Sequence, residues 1–260
     1  MSELVLREVS GGILRLTLND PATRNSLSEL MIEELRTAFT EASAHVIILA
    51  AHGPAFSSGH NLKEITAHRS DADGGSAYFK TLFDTCAELM LAIMNYPCPV
   101  IAEIDGLASA AGCQLVASCD LAIATDRSTF CTPGVNIGLF CSTPMVALSR
   151  AVERKHAMEM LLTGDIISAS EAMRMGLINR VTSHNELKAV TQELAQKIAS
   201  KSAAAIKIGK QAFNRQAEMP VSEAYAYMTQ IMADNLLDAD AHEGIGAFIQ
   251  KRKPKWQQEL

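Results

Sequence analysis

The sequence has little that would bind nucleic acid, cross a membrane or hold a metal ion. Its 23 basic residues are outnumbered by 29 acidic ones and form no basic stripe, which argues against a nucleic-acid partner. The longest apolar region, residues 86–104, is interrupted by Glu88, Pro97 and Pro99, so it lacks the run of about 20 apolar residues that spans a bilayer. The seven histidines fall in no metal-ligand spacing with cysteine or carboxylate, so no metal site is predicted.

The sequence also lacks a CxxC pair and a secretory signal. Its six cysteines stand mostly in apolar surroundings, which predicts buried, reduced thiols and not a disulfide framework. The first twelve residues contain no apolar stretch typical of a signal peptide and too many acidic residues for a transit peptide. We therefore expect a reducing compartment, namely the cytoplasm for a bacterial chain or the mitochondrial matrix for a processed eukaryotic form.

The chain contains recurring strand, loop and helix segments. Two strand-like runs flank Gly11-Gly12, a dipeptide typical of a hairpin turn. The apolar run 46–50 suits a strand covered on both faces, and residues 74–95 have the period of an amphipathic helix. Small-residue loops follow the strands, and open α/β folds build their sites where strands end. The predicted fold class is therefore α/β.

Two further patterns divide the chain. Ser26, followed by Glu29 three residues later, forms a capping-box pattern that predicts a helix with Leu30 on its buried face. The C-terminal part has no strand-like segment, and its pattern predicts helices with apolar faces. These faces need either the core or a sister subunit to cover them. We therefore expect a core over residues 1–190 and a helical oligomerisation region over residues 191–260.

Residues 104–120, IDGLASAAGCQLVASCD, predict a strand, a tight turn and the start of a buried helix. The first amides of a helix have no internal hydrogen-bond partner, and small side chains let a ligand approach them. Such amides can hold the negative charge that develops when a thioester carbonyl becomes an enolate or a tetrahedral oxyanion. The same small residues also suit close packing of a helix on a sheet, so this stretch by itself leaves both interpretations open.

Four segments resemble the enoyl-CoA hydratase/isomerase, or crotonase, superfamily in their order and spacing: FSSGHNLKEI (56–65), PVIAEIDGLASAAGCQLVASCDLAIAT (99–125), EMLLTGDIISASEAMRMGLINRV (159–181) and GAFIQKRKP (246–254). The resemblance implies a crotonase-type spiral of repeated β-β-α units that carries an acyl-CoA pocket, followed by a C-terminal helical trimerisation region. It also implies a homotrimer or hexamer that takes an acyl-CoA thioester. No cofactor is implied, because CoA is part of the substrate.

The resemblance assigns catalytic roles by position. The two backbone N–H groups of the family's oxyanion hole match His60 and Ala111, and the two glutamates of family hydratases match Gln114 and Gly134. Neither glutamine nor glycine exchanges a proton at neutral pH. Each lost acid/base group is expected to cost on the order of 10²–10⁴ in rate. Hydration should therefore be weak or replaced by other thioester-enolate chemistry, whereas a backbone oxyanion hole needs no particular side chain.

The resemblance also assigns the contacts to CoA. Arg24 and Asn25 match the segment that runs beside the CoA nucleotide. Lys251 matches a C-terminal basic residue near the CoA phosphates, and a neighbouring subunit is one possible source of this residue. Without the resemblance, Arg24 and Lys251 would be read as ordinary solvated surface charges.

Two other functions stay open. The chain could be a working enoyl-CoA hydratase or isomerase of fatty acid metabolism that uses substitute groups such as His60, because imidazole titrates near neutrality. It could also be a regulatory scaffold without catalysis. Among other titratable residues, Glu103 lies in a strand whose neighbours belong to the core, so an inward charge there would need a partner. Asp105 suits a turn, and Cys141 has no neighbour in sequence that would lower its pKa.

Overall fold

The computed structural model describes residues 3–257 as a mixed α/β fold. Its strands are β1 (Val5–Ser10), β2 (Ile13–Leu18), β3 (Val46–Ala51), β4 (Ala55–Ser57), β5 (Val100–Ile104), β6 (Leu107–Ser109), β7 (Leu121–Thr125), β8 (Thr129–Cys131), β9 (Ile167–Ser168) and β10 (Arg180–Thr182). Its helices are α1 (Glu29–Thr40), α2 (Leu62–Ala67), α3 (Ser76–Asn95), α4 (Ala111–Ser118), α5 (Pro144–Ala151), α6 (Arg154–Thr163), α7 (Ala169–Met175), α8 (Leu187–Ala199), α9 (Ala203–Gln216), α10 (Val221–Leu236) and α11 (Ala239–Ile249).

The strands form two sheets that the chain visits in turn. The larger sheet has the order β1-β2-β3-β5-β7-β10, and the smaller has the order β4-β6-β8-β9. The successive pairs β3-β4, β5-β6 and β7-β8 each place their first strand in the larger sheet and their second in the smaller one, before a helix follows. This is the repeated β-β-α unit that the resemblance implies, and the predicted α/β fold class is confirmed.

The central strands are buried on both faces, as their apolar runs predict. All five residues of β5 are buried, and so are the first five of β3. One face of the larger sheet contributes to the main core, and helix α8 packs against the other face around the apolar cluster of Ile13, Val46, Ile48, Ile101 and Ala195. The larger sheet is therefore covered on both faces and supports the smaller sheet and its loops.

The start of helix α1 differs from the prediction. Ser28, not Ser26, is the N-cap, since its hydroxyl accepts a hydrogen bond of 3.2 Å from the Met31 N–H. The Ser26 hydroxyl instead donates to Thr23 Oγ1 over 2.9 Å. Leu30 is 51% exposed, so the prediction that it lies on the buried face is wrong.

The C-terminal part is helical, as predicted. Helices α9, α10 and α11 contact one another and follow α8, which packs on the larger sheet. The predicted boundary at residue 190 falls within α8 and stays a prediction. In the part of the chain that is described, no helix combines the length and hydropathy needed to cross a bilayer.

Candidate functional site

The candidate site lies where three strands of the smaller sheet end. Strands β4, β6 and β8 run parallel, so their carboxyl ends meet at one edge. The loop after β4 carries His60, the turn after β6 opens helix α4 at Ala111, and the segment after β8 carries Thr132 and Gly134. The topology thereby brings together residues that are up to 74 positions apart in the chain, from His60 to Gly134.

Two glycines let the loop after β4 lie directly against the start of α4. Gly59 has φ +85°, and a Cβ at this residue would lie 3.2 Å from Ala111 N and 2.9 Å from the Ser109 carbonyl oxygen. A Cβ on Gly112 would lie 2.3 Å from the Ser57 carbonyl oxygen, which backbone atoms do not tolerate. Because neither residue carries a side chain, the segment that leads to His60 passes within contact distance of the Ala111 amide.

The N–H groups of His60 and Ala111 both lack an acceptor within residues 3–257. His60 forms a parallel bridge with Leu27, and the bond of this bridge runs from Leu27 N–H to the Gly59 carbonyl, leaving the His60 N–H unused. Ala110 precedes the helix with φ 49° and ψ −114°, a conformation that a residue with a Cβ seldom adopts. Its N–H donates to the Cys131 carbonyl over 2.9 Å, which holds this strained residue in place.

The two positions that the resemblance matches to the family glutamates differ in their surroundings. Gln114 is 4% exposed on the first turns of α4, and its Oε1 is buried without a hydrogen-bond partner among residues 3–257. Gly134 lies in a 3₁₀ turn, where an added Cβ would lie 3.0 Å from Cys141 Sγ and 3.1 Å from the Leu139 carbonyl oxygen. Burial raises the pKa of the Cys141 thiol, so this group does not supply a ready base.

The His60 imidazole is held in one orientation. Its Nδ1 lies 3.3 Å from the Leu27 carbonyl oxygen and donates to it, and its ring packs edge-on against Phe83 at 5.3 Å between centroids. Burial lowers the pKa of the imidazole, so the neutral form is favoured at pH 7. With Nδ1 protonated, Nε2 carries the lone pair, and it is buried with no partner among the described residues.

Arg24 and Asn25 lie beside the His60 loop but differ in exposure. The Arg24 side chain is exposed, and its carbonyl oxygen accepts a 3.0 Å bond from Ser58 N–H. The Asn25 side chain is fully buried, and its Nδ2 donates to the carbonyl oxygens of His52 and Ala55, each over 2.8 Å. Asn25 therefore holds the loop that presents Arg24, and its amide is used within the fold.

Three of the four described non-glycine residues with positive φ lie in this region. The described residues other than glycine with positive φ are Arg24, Asn25, Ala110 and Lys251. Three of these are residues assigned to CoA contacts, and the fourth precedes Ala111; strained backbone of this kind clusters at functional sites. Lys251 is exposed after α11, and no hydrogen bond or ion pair of this chain connects it with Arg24 or His60.

Two features of the site have no signal in the sequence. Thr132 is fully buried, and its hydroxyl has no partner within residues 3–257. Ala110 adopts its unusual dihedral angles although a glycine would be the ordinary choice there.

A groove of about 1450 Å³ between α8, α9 and the core is lined by none of the predicted site residues. The described residues contain no group of three or more histidine, cysteine or acidic side chains that could hold a metal ion.

The sequence and structure are similar to those of known proteins. A family model described as enoyl-CoA hydratase/isomerase matches residues 8–259. A mouse protein named enoyl-CoA hydratase domain-containing protein 3, mitochondrial, is 52% identical over 249 residues, covering 94% of this chain and 81% of its own. The crystal structure of an enoyl-CoA hydratase from Mycobacterium smegmatis matches with a TM-score of 0.93 and 45% identity, over 99% of this chain and 100% of its own. The crystal structure of the human enoyl-CoA hydratase domain-containing protein 3 matches with a TM-score of 0.92 and 48% identity, over 97% of this chain and 100% of its own.

Proposed function

This chain belongs to the enoyl-CoA hydratase/isomerase family, and from that premise we propose that it binds an acyl-CoA thioester. The thioester carbonyl oxygen would accept hydrogen bonds from the N–H groups of His60 and Ala111, which form an oxyanion hole. The observation that carries this proposal is the adjacency of two backbone N–H groups without an acceptor in residues 3–257, next to the strained Ala110. Donors fixed in this way stabilise the charge of a forming enolate.

The chemistry at this site is limited by what surrounds the oxyanion hole. Gln114 can orient a water molecule but cannot take its proton, and Gly134 offers no side chain. We infer that ordinary hydration of an enoyl thioester is weak, and that the site either binds acyl-CoA or supports enolate chemistry that needs no carboxylate pair. Exposed Arg24, held beside the His60 loop, is the basic group that would meet the CoA phosphates.

Binding is tested by thermal unfolding with butyryl-CoA and with free CoA. We expect butyryl-CoA to stabilise the protein, by about 2.7 kcal/mol at a concentration of 100 times its Kd. Gly59→Ala should abolish the difference between butyryl-CoA and free CoA, because its Cβ would press on Ser109 O and Ala111 N. Gly74→Ala is the matched control, since Gly74 also has positive φ but its added Cβ meets nothing within 4 Å. If no acyl-CoA raises the unfolding temperature, the result would contradict the proposal and favour a non-catalytic scaffold.

A second candidate, a working hydratase or isomerase built on His60, is favoured by one observation. The Nε2 atom of His60 is buried and has no hydrogen-bond partner within residues 3–257, so its lone pair is available to accept a proton at the site. Its lowered pKa makes it a weak base, and therefore the first proposal is preferred. Turnover of crotonyl-CoA that is lost in His60→Ala, with butyryl-CoA binding retained, would establish this second function.

The compartment is inferred from relatives. The name of the mouse protein describes that protein as mitochondrial. We infer the mitochondrial matrix for this chain if it is a processed eukaryotic form, and the cytoplasm if it is bacterial.

A further inference from the structure

A cysteine thiol lies beside Gly134, and the proposed function does not use it. Cys141 is 7% exposed, and its Sγ would be 3.0 Å from a Cβ added to Gly134, so the sulfur is on the side to which a side chain of residue 134 would point. The backbone of Cys141 is fixed, since its carbonyl oxygen accepts the Met145 N–H over 2.9 Å at the start of α5. A nucleophilic atom is therefore held where a side chain of residue 134 would begin.

The same thiol is close to the helix that supplies the Ala111 N–H. Cys113 lies two residues after Ala111 on the first turn of α4 and is 1% exposed. Burial raises the pKa of the Cys113 thiol, and interaction with the thiols of Cys131 and Cys141 raises it further, so the three sulfur atoms are near one another. The Cys141 thiol is thus near the start of α4 as well as near Gly134.

Unpaired polar atoms indicate that a ligand occupies the space at this edge. Thr132, two residues before Gly134, is fully buried, and Gln114, one residue after Cys113, is 4% exposed. The Thr132 hydroxyl and Gln114 Oε1 have no hydrogen-bond partner within residues 3–257. Because buried polar groups are nearly always paired, these two atoms point to a partner that the described part of the chain does not supply.

The chemistry of a thiol matches the ligand that the proposed function brings. The C2=C3 bond of an enoyl thioester is conjugated with the carbonyl, so C3 is electrophilic when hydrogen-bond donors hold the carbonyl oxygen. Cysteine sulfur is intrinsically a strong nucleophile. Burial raises the pKa of the Cys141 thiol, which leaves little thiolate at pH 7. Binding offsets this, because well-aligned groups in one complex react with effective concentrations on the order of 10⁵–10⁸ M.

We propose that Cys141 adds covalently to α,β-unsaturated acyl-CoA thioesters. Its sulfur forms a bond to C3, and the electron pair of the C2=C3 bond moves to the thioester oxygen as an enolate, which the N–H groups of His60 and Ala111 hold. The thiol releases its proton to water, and C2 takes up a proton from water. The product is a saturated thioether that contains every atom of the enoyl-CoA, and no oxidant is consumed. This inference rests on the proposed function, since the thioester has to be bound at these two amides.

Intact-protein mass spectrometry of the full chain tests this step. After incubation with crotonyl-CoA and denaturation, the protein should gain the full mass of one crotonyl-CoA, and peptide mapping should place the adduct on Cys141. Butyryl-CoA lacks the double bond and should add nothing. An excess of butyryl-CoA should slow formation of the adduct, because it occupies the same site.

A variant pair and a second reagent separate this reaction from random alkylation. Cys141→Ser should lose the adduct. Cys98→Ser is the matched control and should keep it, because Cys98 is a partly buried thiol before β5 whose carbonyl oxygen accepts a bond from Lys210 on α9, outside the candidate site. Crotonyl-CoA should modify Cys141 at least about tenfold faster than Cys98, whereas N-ethylmaleimide, which needs no binding site, should show no such preference. If Cys141→Ser does not fold, this ratio on the unaltered chain still decides.

Each outcome decides a separate point. An unchanged mass, with butyryl-CoA still raising the unfolding temperature, would overturn the covalent step and leave the proposed function intact. An unchanged mass without stabilisation by either ligand would overturn both. A gain of the crotonyl group alone would overturn addition, because it would show acyl transfer with release of CoA. An adduct spread over several cysteines, or retained in Cys141→Ser, would overturn the role of Cys141.

Discussion

Gly134, which the resemblance matches to a glutamate of family hydratases, has close neighbours on the side where a Cβ would be added. A Cβ there would lie 3.0 Å from Cys141 Sγ, 3.1 Å from Leu139 O and 3.2 Å from Cys141 N. Contacts this short require the neighbours to shift by a few tenths of an ångström, and a thiol moves more readily than a backbone carbonyl. A side chain at residue 134 would therefore fit only if Cys141 and Leu139 shifted.

We therefore predict that restoring both glutamates is not sufficient for hydration. Gln114→Glu/Gly134→Glu should gain little activity on crotonyl-CoA. Adding Cys141→Ala should raise the rate, because it removes the 3.0 Å contact with Sγ, but to less than the roughly 10²-fold of a fully placed acid/base group, because the backbone contacts with Leu139 O and Cys141 N remain. Activity is followed by the loss of enoyl-thioester absorbance, with Cys141→Ala alone as the control that should gain nothing. If the double and triple variants are equally active, then space at residue 134 is not limiting.

Within the larger sheet, a buried ion pair joins two strands that are not neighbours. Arg15 on β2 reaches Glu103 on β5 across β3, with N–O distances of 2.6 and 2.9 Å in a bidentate arrangement. Both side chains share the face of Ile13 and Ile101, which helix α8 covers. The partner that the sequence requires for Glu103 is therefore present, and Glu103 has a structural role.

Breaking this pair should be costly, whereas replacing it should not. Glu103→Leu leaves the Arg15 charge buried and should lower the free energy of unfolding by about 3–5 kcal/mol, while Arg15→Met/Glu103→Leu should recover most of the loss. Urea unfolding at one fixed protein concentration measures both. Glu33→Leu, which removes an exposed partner of Arg36, is the control and should change stability by less than about 1 kcal/mol. A stability of Glu103→Leu equal to that of the unaltered chain would contradict this account.

Periodicity predicts the elements well where one face or both faces are buried. The apolar spacing over residues 46–50 and 74–95 predicts the correct type for β3 and α3, because the core decides which of their residues are apolar. The start of α1 was misplaced for a tertiary reason. Leu27 is fully buried and its N–H donates to the Gly59 carbonyl, so residue 27 is extended and the helix begins only after Ser28. The local capping pattern cannot show a bond that spans 32 residues.

The site is predictable to the extent that it depends on motifs. His60 and Ala111 were both assigned by resemblance, and the parallel smaller sheet brings their segments together. Three features cannot be predicted from the sequence: the unpaired hydroxyl of Thr132, the dihedral angles of Ala110 and the contact of Cys141 with residue 134. Each depends on how separate loops meet at the sheet edge. Such features depend on packing, which no local pattern encodes.

At the scale of the whole molecule, the C-terminal helices leave much apolar surface uncovered. Helix α10 has sixteen residues, none of which is fully buried. Helices of this length are marginal in water unless an apolar face is packed. The exposed apolar residues of α9, α10 and α11 are Phe213, Val221, Tyr225, Met232, Leu236, Ile245, Phe248 and Ile249. Eight exposed apolar side chains on three consecutive helices call for a covering partner.

We predict that a second and a third copy of the chain cover this surface. Size-exclusion chromatography with light scattering should give a mass of about 84 kDa, three times the 28.0 kDa chain, or twice that for a hexamer. Tyr225→Glu and Phe248→Glu, at residues 74% and 84% exposed in the single chain, should lower this mass, because a carboxylate would be buried unpaired at the interface. Val9→Glu is the control, since Val9 is 70% exposed on β1, far from these helices in sequence, and the mass should be unchanged. A monomeric unaltered chain would contradict the prediction, and equal dissociation by Val9→Glu would show that the interface lies elsewhere.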